Sequence, residues 1–323
     1  MSITTKYLGL ELKSPLIVGS SELNSSVEKI KKHAEAGAGA VVLKSLFEEQ
    51  ILMDIDAERL NNMYGSYDAV EEQLGYYLKK HSVDSYLNLI SEAKKAVDIP
   101  VIASINCVSS IEWIDFAKKI EEAGADALEV NMFIMPVNTD MEGSDVENIY
   151  FDIANKVTNA VNIPVALKLS NYISGLANFL QALSKSKIKG LVLFNKFYSP
   201  AVDIEEEKLV SGKIYSKPED NANTLRWIGV LNGQVESDLC ASTGVHTGKD
   251  LISNILVGAN AVQMVSSIFE NGESQITKAL SELEEWMKKK NYSSIEDFRG
   301  KLSQKNIKNP MLYERAQFMR YFS

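Results

Sequence analysis

The 323-residue sequence predicts an α/β protein built as a (β/α)8 TIM barrel, and three observations carry that prediction. Eight short apolar runs rich in β-branched residues alternate with amphipathic stretches. The runs are apolar throughout rather than at every second residue, and the same punctuation recurs between them. Continuously apolar strands belong to parallel sheets covered on both faces, and eight consecutive βα units close into a barrel. A doubly wound open sheet is the competing arrangement of the same alternation. A plain barrel fills about 200 to 250 residues as one domain, so residues 1–323 read as a single domain carrying extra segments.

Taken in order, residues 3–7 and 10–13 pair around Gly9 as an N-terminal β-hairpin expected to close the bottom of the barrel. The barrel strands follow at 15–20, 40–45, 101–106, 127–133, 165–170, 190–195, 238–242 and 261–266. Between them, stretches such as 26–36, 85–97, 111–123, 145–161 and 249–257 space apolar residues three and four apart, the period of a helix packed on one face. Ala36-Gly37-Ala38, Ala123-Gly124-Ala125 and Val257-Gly258-Ala259 mark helix ends, where glycine takes the left-handed cap. Ile99-Pro100 and Ile163-Pro164 open the next strands, where a missing N–H is tolerated. Three segments exceed the repeating unit: long loops at 47–81 after the second strand and 196–222 after the sixth, and the tail 291–323. Both loops follow strand C-termini and are expected to hang over the catalytic mouth.

A net charge of −9 argues against nucleic acid as the ligand, because phosphate neutralisation needs clustered Lys and Arg. Cys107 and Cys240 make neither a disulfide framework nor a metal-binding spacing. The N-terminus shows no signal-peptide pattern, and no window approaches the roughly 18 apolar residues of a membrane span. A cytoplasmic protein without membrane attachment, acting as a homodimer, is the expectation.

In a barrel the last residue or two of each strand faces the ligand. Here they are Gly19-Ser20-Ser21, Lys44-Ser45, Asn106-Cys107, Asn131, Lys168, Asn195, Ser242-Thr243-Gly244 and Ser266-Ser267, a set with no carboxylate. That excludes a metal centre and a hydrolase triad, and it suits a flat heteroaromatic cofactor with an anionic substrate. Turns at 242–245 and 265–267 each lead into a helix in the last two units, where barrels hold phosphate on backbone amides. A strand-end lysine also serves Schiff-base chemistry, and a flavin-free phosphate-binding lyase or isomerase fits the same set. Lys44 and Lys168 each follow buried apolar residues, where an unpaired ammonium is costly.

The sequence resembles the dihydroorotate dehydrogenase family of FMN-dependent barrels over nearly its whole length. The matching motifs are Tyr7-Leu8-Gly9-Leu10, Ser14-Pro15, Val42-Leu43-Lys44-Ser45, Ala127-Leu128-Glu129-Val130-Asn131 and Leu167-Lys168-Leu169. They continue at Ser242-Thr243-Gly244-Val245, Thr247-Gly248-Lys249-Asp250 and Ser294-Ile295-Glu296-Asp297-Phe298-Arg299-Gly300. The resemblance implies FMN and a small anionic pyrimidine-like substrate that exchanges hydride with flavin N5. It also implies a soluble electron acceptor or partner protein, with pyrimidine biosynthesis as the setting if that substrate is dihydroorotate. Lys168 matches the lysine near flavin N1 and O2, and Thr243, Gly244, Val265 and Ser266 match the phosphate turns. Gly19, Ser20, Ser45, Asn106 and Gly212 fall on the cofactor side. Lys44, Asn131 and Asn195 join Lys168 as the catalytic set that contacts substrate and flavin.

Two departures accompany the resemblance. The family's proton-abstracting Ser or Cys, three residues after the strand-4 asparagine, is Ile134 here, and the Asn-rich loop after strand 2 survives at most as Asn61-Asn62-Met63-Tyr64-Gly65. Cys107 is either a substitute base or a packing thiol. A flavin-binding relative with an altered substrate or lost turnover is therefore the alternative. Tyr64, Tyr67, Tyr76 and Tyr77 either stack over a ligand or form a dimer interface, whereas His33, His81 and His246 read as structural or solvated rather than catalytic.

Overall fold

The computed structural model describes residues 1–47, 83–106, 114–132, 134–196 and 199–314. Its strands are β1 (Thr5–Tyr7), β2 (Leu10–Leu12), β3 (Leu16–Val18), β4 (Ala40–Val42), β5 (Leu46–Phe47), β6 (Val101–Asn106), β7 (Ala127–Asn131), β8 (Val165–Leu169) and β9 (Gly190–Leu193), then β10 (Pro200–Asp203), β11 (Lys208–Ser211), β12 (Asp238–Ala241) and β13 (Ala261–Met264). The order β3-β4-β6-β7-β8-β9-β12-β13 is parallel throughout and closes on itself through the β13–β3 and β4–β6 pairings. The eight-stranded barrel is thus formed, and the open sheet is not.

The helices are α1 (Val27–Glu35), α2 (Val83–Ala96), α3 (Ile114–Glu122), α4 (Gly143–Ala160), α5 (Leu176–Ser184), α6 (Asn221–Leu231), α7 (Gly248–Val257), α8 (Ser266–Asn271) and α9 (Ser274–Lys290). Their ends follow local chemistry. Ser26 caps α1 by accepting from the Lys29 amide, and Gly37, Gly124 and Gly258 take φ of 104, 94 and 127° where α1, α3 and α7 stop. Among the described residues, no helix is long and apolar enough to cross a membrane.

Side-chain parity along the strands divides the core in two. Leu16, Val18, Val41, Val101, Ala103, Leu128, Val130 and Leu167 point outward under the helices. Ile17, Val42, Ile102, Ala127, Ala166, Val192, Cys240 and Ala261 point into the barrel, where Tyr7, Leu8 and Leu12 of the hairpin join them. The two-residue hairpin connection puts Leu8 and Gly9 at φ 57 and 77°, the primed-turn geometry that matches strand twist. The Leu8 amide donates to the Asp238 carboxylate at 2.8 Å, which pins the plug to the base of β12.

Three features add to the sequence expectations. The second strand is split, with β4 ending at Val42 and β5 resuming beside β6 at Leu46. Part of the segment 196–222 is an antiparallel hairpin, β10 with β11, whose turn holds the Glu205-Glu206-Glu207 run. The tail up to 314 is laced onto the barrel, with the Gly300 amide bonded to the Ile255 carbonyl at 3.0 Å and the Gln304 amide to the Gly229 carbonyl at 2.9 Å. Cys107, Phe133, His81, the tyrosines at 64, 67, 76 and 77, the 61–65 remnant and residues 48–82 as a whole lie outside the described residues.

Candidate active site

Lys168 is the fourth of the five residues of β8 and faces inward with Ala166, and it is 6% exposed. Its ammonium donates to Gln263 Oε1 of β13 at 2.9 Å and lies 3.6 Å from Glu129 Oε1 of β7. Gln263 Nε2 donates to Glu129 Oε2 at 2.6 Å, which closes a buried triad across the barrel. The strand ends themselves carry no carboxylate, and Glu129 supplies one a layer below them. Glu129 lies two residues before Asn131, so the period-two alternation of a strand turns both the same way. Beneath the triad, burial pushes the Cys240 thiol and the Tyr7 phenol well above their ordinary pKa values.

Around the rim, Asn195 Nδ2 donates to Asn131 Oδ1 at 2.9 Å, joining the ends of β7 and β9. Ser20, Ser45 and Ser104 form a hydroxyl chain with contacts of 3.1 and 2.8 Å. The buried Asn24 amide group bonds the carbonyls of Val18, Gly19 and Val42 and so holds the first two strand ends together. Tyr86 of α2 accepts from the Ser104 amide at 2.8 Å and donates to the Ser104 carbonyl at 2.9 Å.

A cavity of about 240 Å³ opens above Lys168, and Ser20, Asn195, Lys196, Thr243, Gly244 and Val265 are among its walls. Thr243 and Gly244 both have positive φ, 79 and 77°. A Cβ at Gly244 would stand 2.2 Å from the Asn221 nitrogen, so only glycine lets the turn lie against the start of α6. Thr243 Oγ1 donates to the Phe194 carbonyl at 2.9 Å, which fixes the turn. The amides of Thr243, Gly244 and Val245 meet no acceptor among the described residues. A run of amides without acceptors at a glycine turn has the donor chemistry that an anion requires. Beside it, Ser266 Oγ accepts from both the amide and the hydroxyl of Ser216 at 3.0 Å, and His246 Nε2 lies 3.3 Å from Ser216 Oγ. Lys196 pairs with Asp220 at 3.0 Å. Burial opposes the Asp220 charge, but the Lys217 amide and the Lys196 ammonium hold its carboxyl below the usual range.

The structure thus brings Ser20, Lys168, Asn195, Thr243, Gly244, Val265 and Ser266 to one cavity, with Asn131 bonded to Asn195 and the Gly19 amide bonded to the Met264 carbonyl at 3.2 Å. Lys44 and Ser45 line a neighbouring groove of about 640 Å³ between α1 and α2, where Lys44 forms an ion pair with Glu22. Gly212 is not among the walls of the cavity. Its amide bonds the Ser199 carbonyl at 3.0 Å at the base of the β10–β11 hairpin. Asn106 ends β6 opposite Phe47 and Asn131. Ile134 is half-buried against the outer core, an environment in which it only packs. Sequence reasoning missed Glu22, Glu129, Gln263 and Ser104. Strand parity would have found the last three, whereas Glu22 is joined to Lys44 only by folding.

Comparison with known proteins bears on this geometry. The family model of dihydroorotate dehydrogenase matches residues 2–287. The chain is 25% identical over 309 residues to the "Dihydroorotate dehydrogenase B (NAD(+)), catalytic subunit" of Thermoplasma volcanium, covering 92% of this chain and 97% of that protein. The protein of the same name from Pyrococcus furiosus is 25% identical over 317 residues, covering 94% of this chain and 100% of its own length. The chloroplastic "Dihydropyrimidine dehydrogenase (NADP(+))" of Arabidopsis thaliana is 23% identical over 335 residues, covering 93% of this chain and 76% of that protein. With a closed barrel, a phosphate-type turn in its seventh unit and a family match over most of its length, the chain belongs to the dihydroorotate dehydrogenase family.

Proposed function

We propose that this protein is an FMN-dependent oxidoreductase of the dihydroorotate dehydrogenase type, acting on a CH–CH bond of a small cyclic substrate. The observation that carries the reading is the glycine turn of acceptor-less amides at 243–245 on the same cavity as the buried Lys168. Thr243, Gly244, Val265 and Ser266 would hold the FMN phosphate, and Gly19, Ser20, Ser45, Asn106 and Gly212 would serve the cofactor side. FMN, when bound, supplies the hydride acceptor. Lys168 provides a fixed positive charge in a water-poor barrel, the placement at which an ammonium most stabilises developing negative charge. Asn131 and Asn195 would orient the substrate by their paired amides, with Lys44 approaching from the neighbouring groove.

Ile134 favours a rebuilt substrate half over the family's standard one, because isoleucine takes no proton. The altered-substrate relative is thus the version of the proposal we prefer. Dihydroorotate, and with it pyrimidine biosynthesis, remains the substrate to test first. Relatives named as catalytic subunits support a partner protein as electron acceptor. Exposed Val202, Ile204 and Leu209 on the β10–β11 hairpin support association of two copies, and we place the protein in the cytoplasm.

Purified protein should be yellow with bound FMN released on denaturation. A colourless preparation that added FMN fails to colour overturns the proposal. Stopped-flow bleaching by dihydroorotate, compared with other dihydropyrimidines, then identifies the reducing substrate.

A further inference from the structure

A buried carboxylate is costly unless its charge and both its oxygens find partners. Glu129 is 1% exposed, and its Oε1 makes no hydrogen bond among the described residues. That oxygen faces the Lys168 ammonium at 3.6 Å, too far for a hydrogen bond, and Lys168 is its one cation within ion-pair distance among the described residues. Gln263 joins the two ions instead: its Oε1 accepts from Lys168 Nζ at 2.9 Å while its Nε2 donates to Glu129 Oε2 at 2.6 Å. Turning that amide over would set its NH2 against the ammonium and its oxygen against the carboxylate, so the two charges fix its orientation. Lys168 and Gln263 reach the wall of the 240 Å³ cavity, and Glu129 does not. A ligand there meets the ammonium first, with the carboxylate behind it. The positive field it feels is that of a lone lysine reduced by the carboxylate's own Coulomb contribution. An unopposed ammonium would hold an electron-rich ring too tightly for its electrons to pass on.

We propose that Glu129 is a positioning residue for the cofactor: without touching the ligand, it opposes Lys168 and holds the reduction potential of the bound flavin below the value that the lysine alone would set. The inference rests on the functional reading above and adds to it a residue that tunes the cofactor from one layer below the strand ends.

The test measures the two-electron midpoint potential of FMN-loaded wild type and variants at one pH, by equilibration with a reference dye. Glu129→Gln keeps the size of the side chain and removes its charge. It should favour reduced flavin by about tenfold or more, a rise of about 30 mV for a two-electron couple. Exchanging the two partners, Glu129→Gln together with Gln263→Glu, returns a carboxylate to Lys168 at closer range. Its potential should fall to the wild-type value or below, and its urea stability should recover from the loss of a buried charge partner in the single variant. A rescue of that kind separates charge from a mere disturbance of packing. A single variant whose potential falls, or stays within about twofold of wild type in equilibrium constant, about 9 mV, overturns the inference. Where the single variant does not fold, the exchanged pair decides: a potential above wild type overturns the inference, and one at or below it supports it. Wild type that binds FMN while the variants fail these outcomes overturns this inference alone, whereas wild type that takes up no FMN removes the functional reading with it.

Discussion

Lys168 sits at the point where charge, burial and chemistry meet, and its neighbours determine what a substitution there does. Removing it leaves Glu129, 1% exposed, as an uncompensated buried charge, a loss of about 3 to 5 kcal/mol when one partner of a buried pair is deleted. Lys168→Met should therefore lower the urea unfolding free energy by about that much and slow flavin reduction by about a hundredfold or more. Adding Glu129→Gln should restore most of the stability and none of the rate, and recovery of both would show that the lysine acts only through folding. Lys168, Asn131 and Asn195 were legible because barrel strands end at the mouth. Glu129 and Gln263 were as readable by parity but sit one layer deeper than the strand ends. The Lys44–Glu22 pair spans 21 intervening residues of chain and a helix start, and no local pattern announces it.

At the scale of elements, the seventh βα unit joins a strained turn to a well-capped helix. Thr247 Oγ1 accepts from the Asp250 amide at 3.3 Å, and the Asp250 carboxylate accepts from the His246 and Thr247 amides at 3.0 and 2.8 Å. Thr247→Ala should cost about 1 kcal/mol in thermal or urea unfolding and leave FMN content intact. Gly244→Ala combines an unfavourable backbone angle with a clash against Asn221, so flavin content of the purified variant should collapse. Full flavin retention there would remove this turn from the cofactor site. Helix ends were readable from their glycines, since only the left-handed cap needs them. The β10–β11 hairpin was not, because its strands are half-exposed and its turn is an acidic run that reads equally as a solvated face.

For the whole molecule, continuously apolar strands alternating with helices specified a parallel sheet covered on both faces, and the count of eight consecutive units favoured the barrel over the doubly wound sheet. The N-terminal hairpin was legible too, as was its place at the bottom of the barrel. Tyr7, Leu8 and Leu12, at 1, 3 and 1% exposure, fill the bottom of the barrel. Tyr7→Ala should cost about 3 to 5 kcal/mol through the cavity it opens. Tyr7→Phe should be neutral or stabilising, because the buried hydroxyl makes no hydrogen bond among the described residues. Urea denaturation of the pair separates packing from polarity, and a large loss in Tyr7→Phe would assign the hydroxyl a partner.

Closure of the barrel has one more consequence. A ring of strands has no first and no last member, so its backbone amides and carbonyls are all spoken for by neighbours. Free strand edges among the described residues belong to the two-residue β5 and to the two hairpins, of which the N-terminal one is pressed against the barrel floor. Among the described residues, the longest edges open to main-chain templating by another polypeptide, whether a specific partner or an aggregating copy, are β10 and β11, and Pro200 already denies β10 one donor.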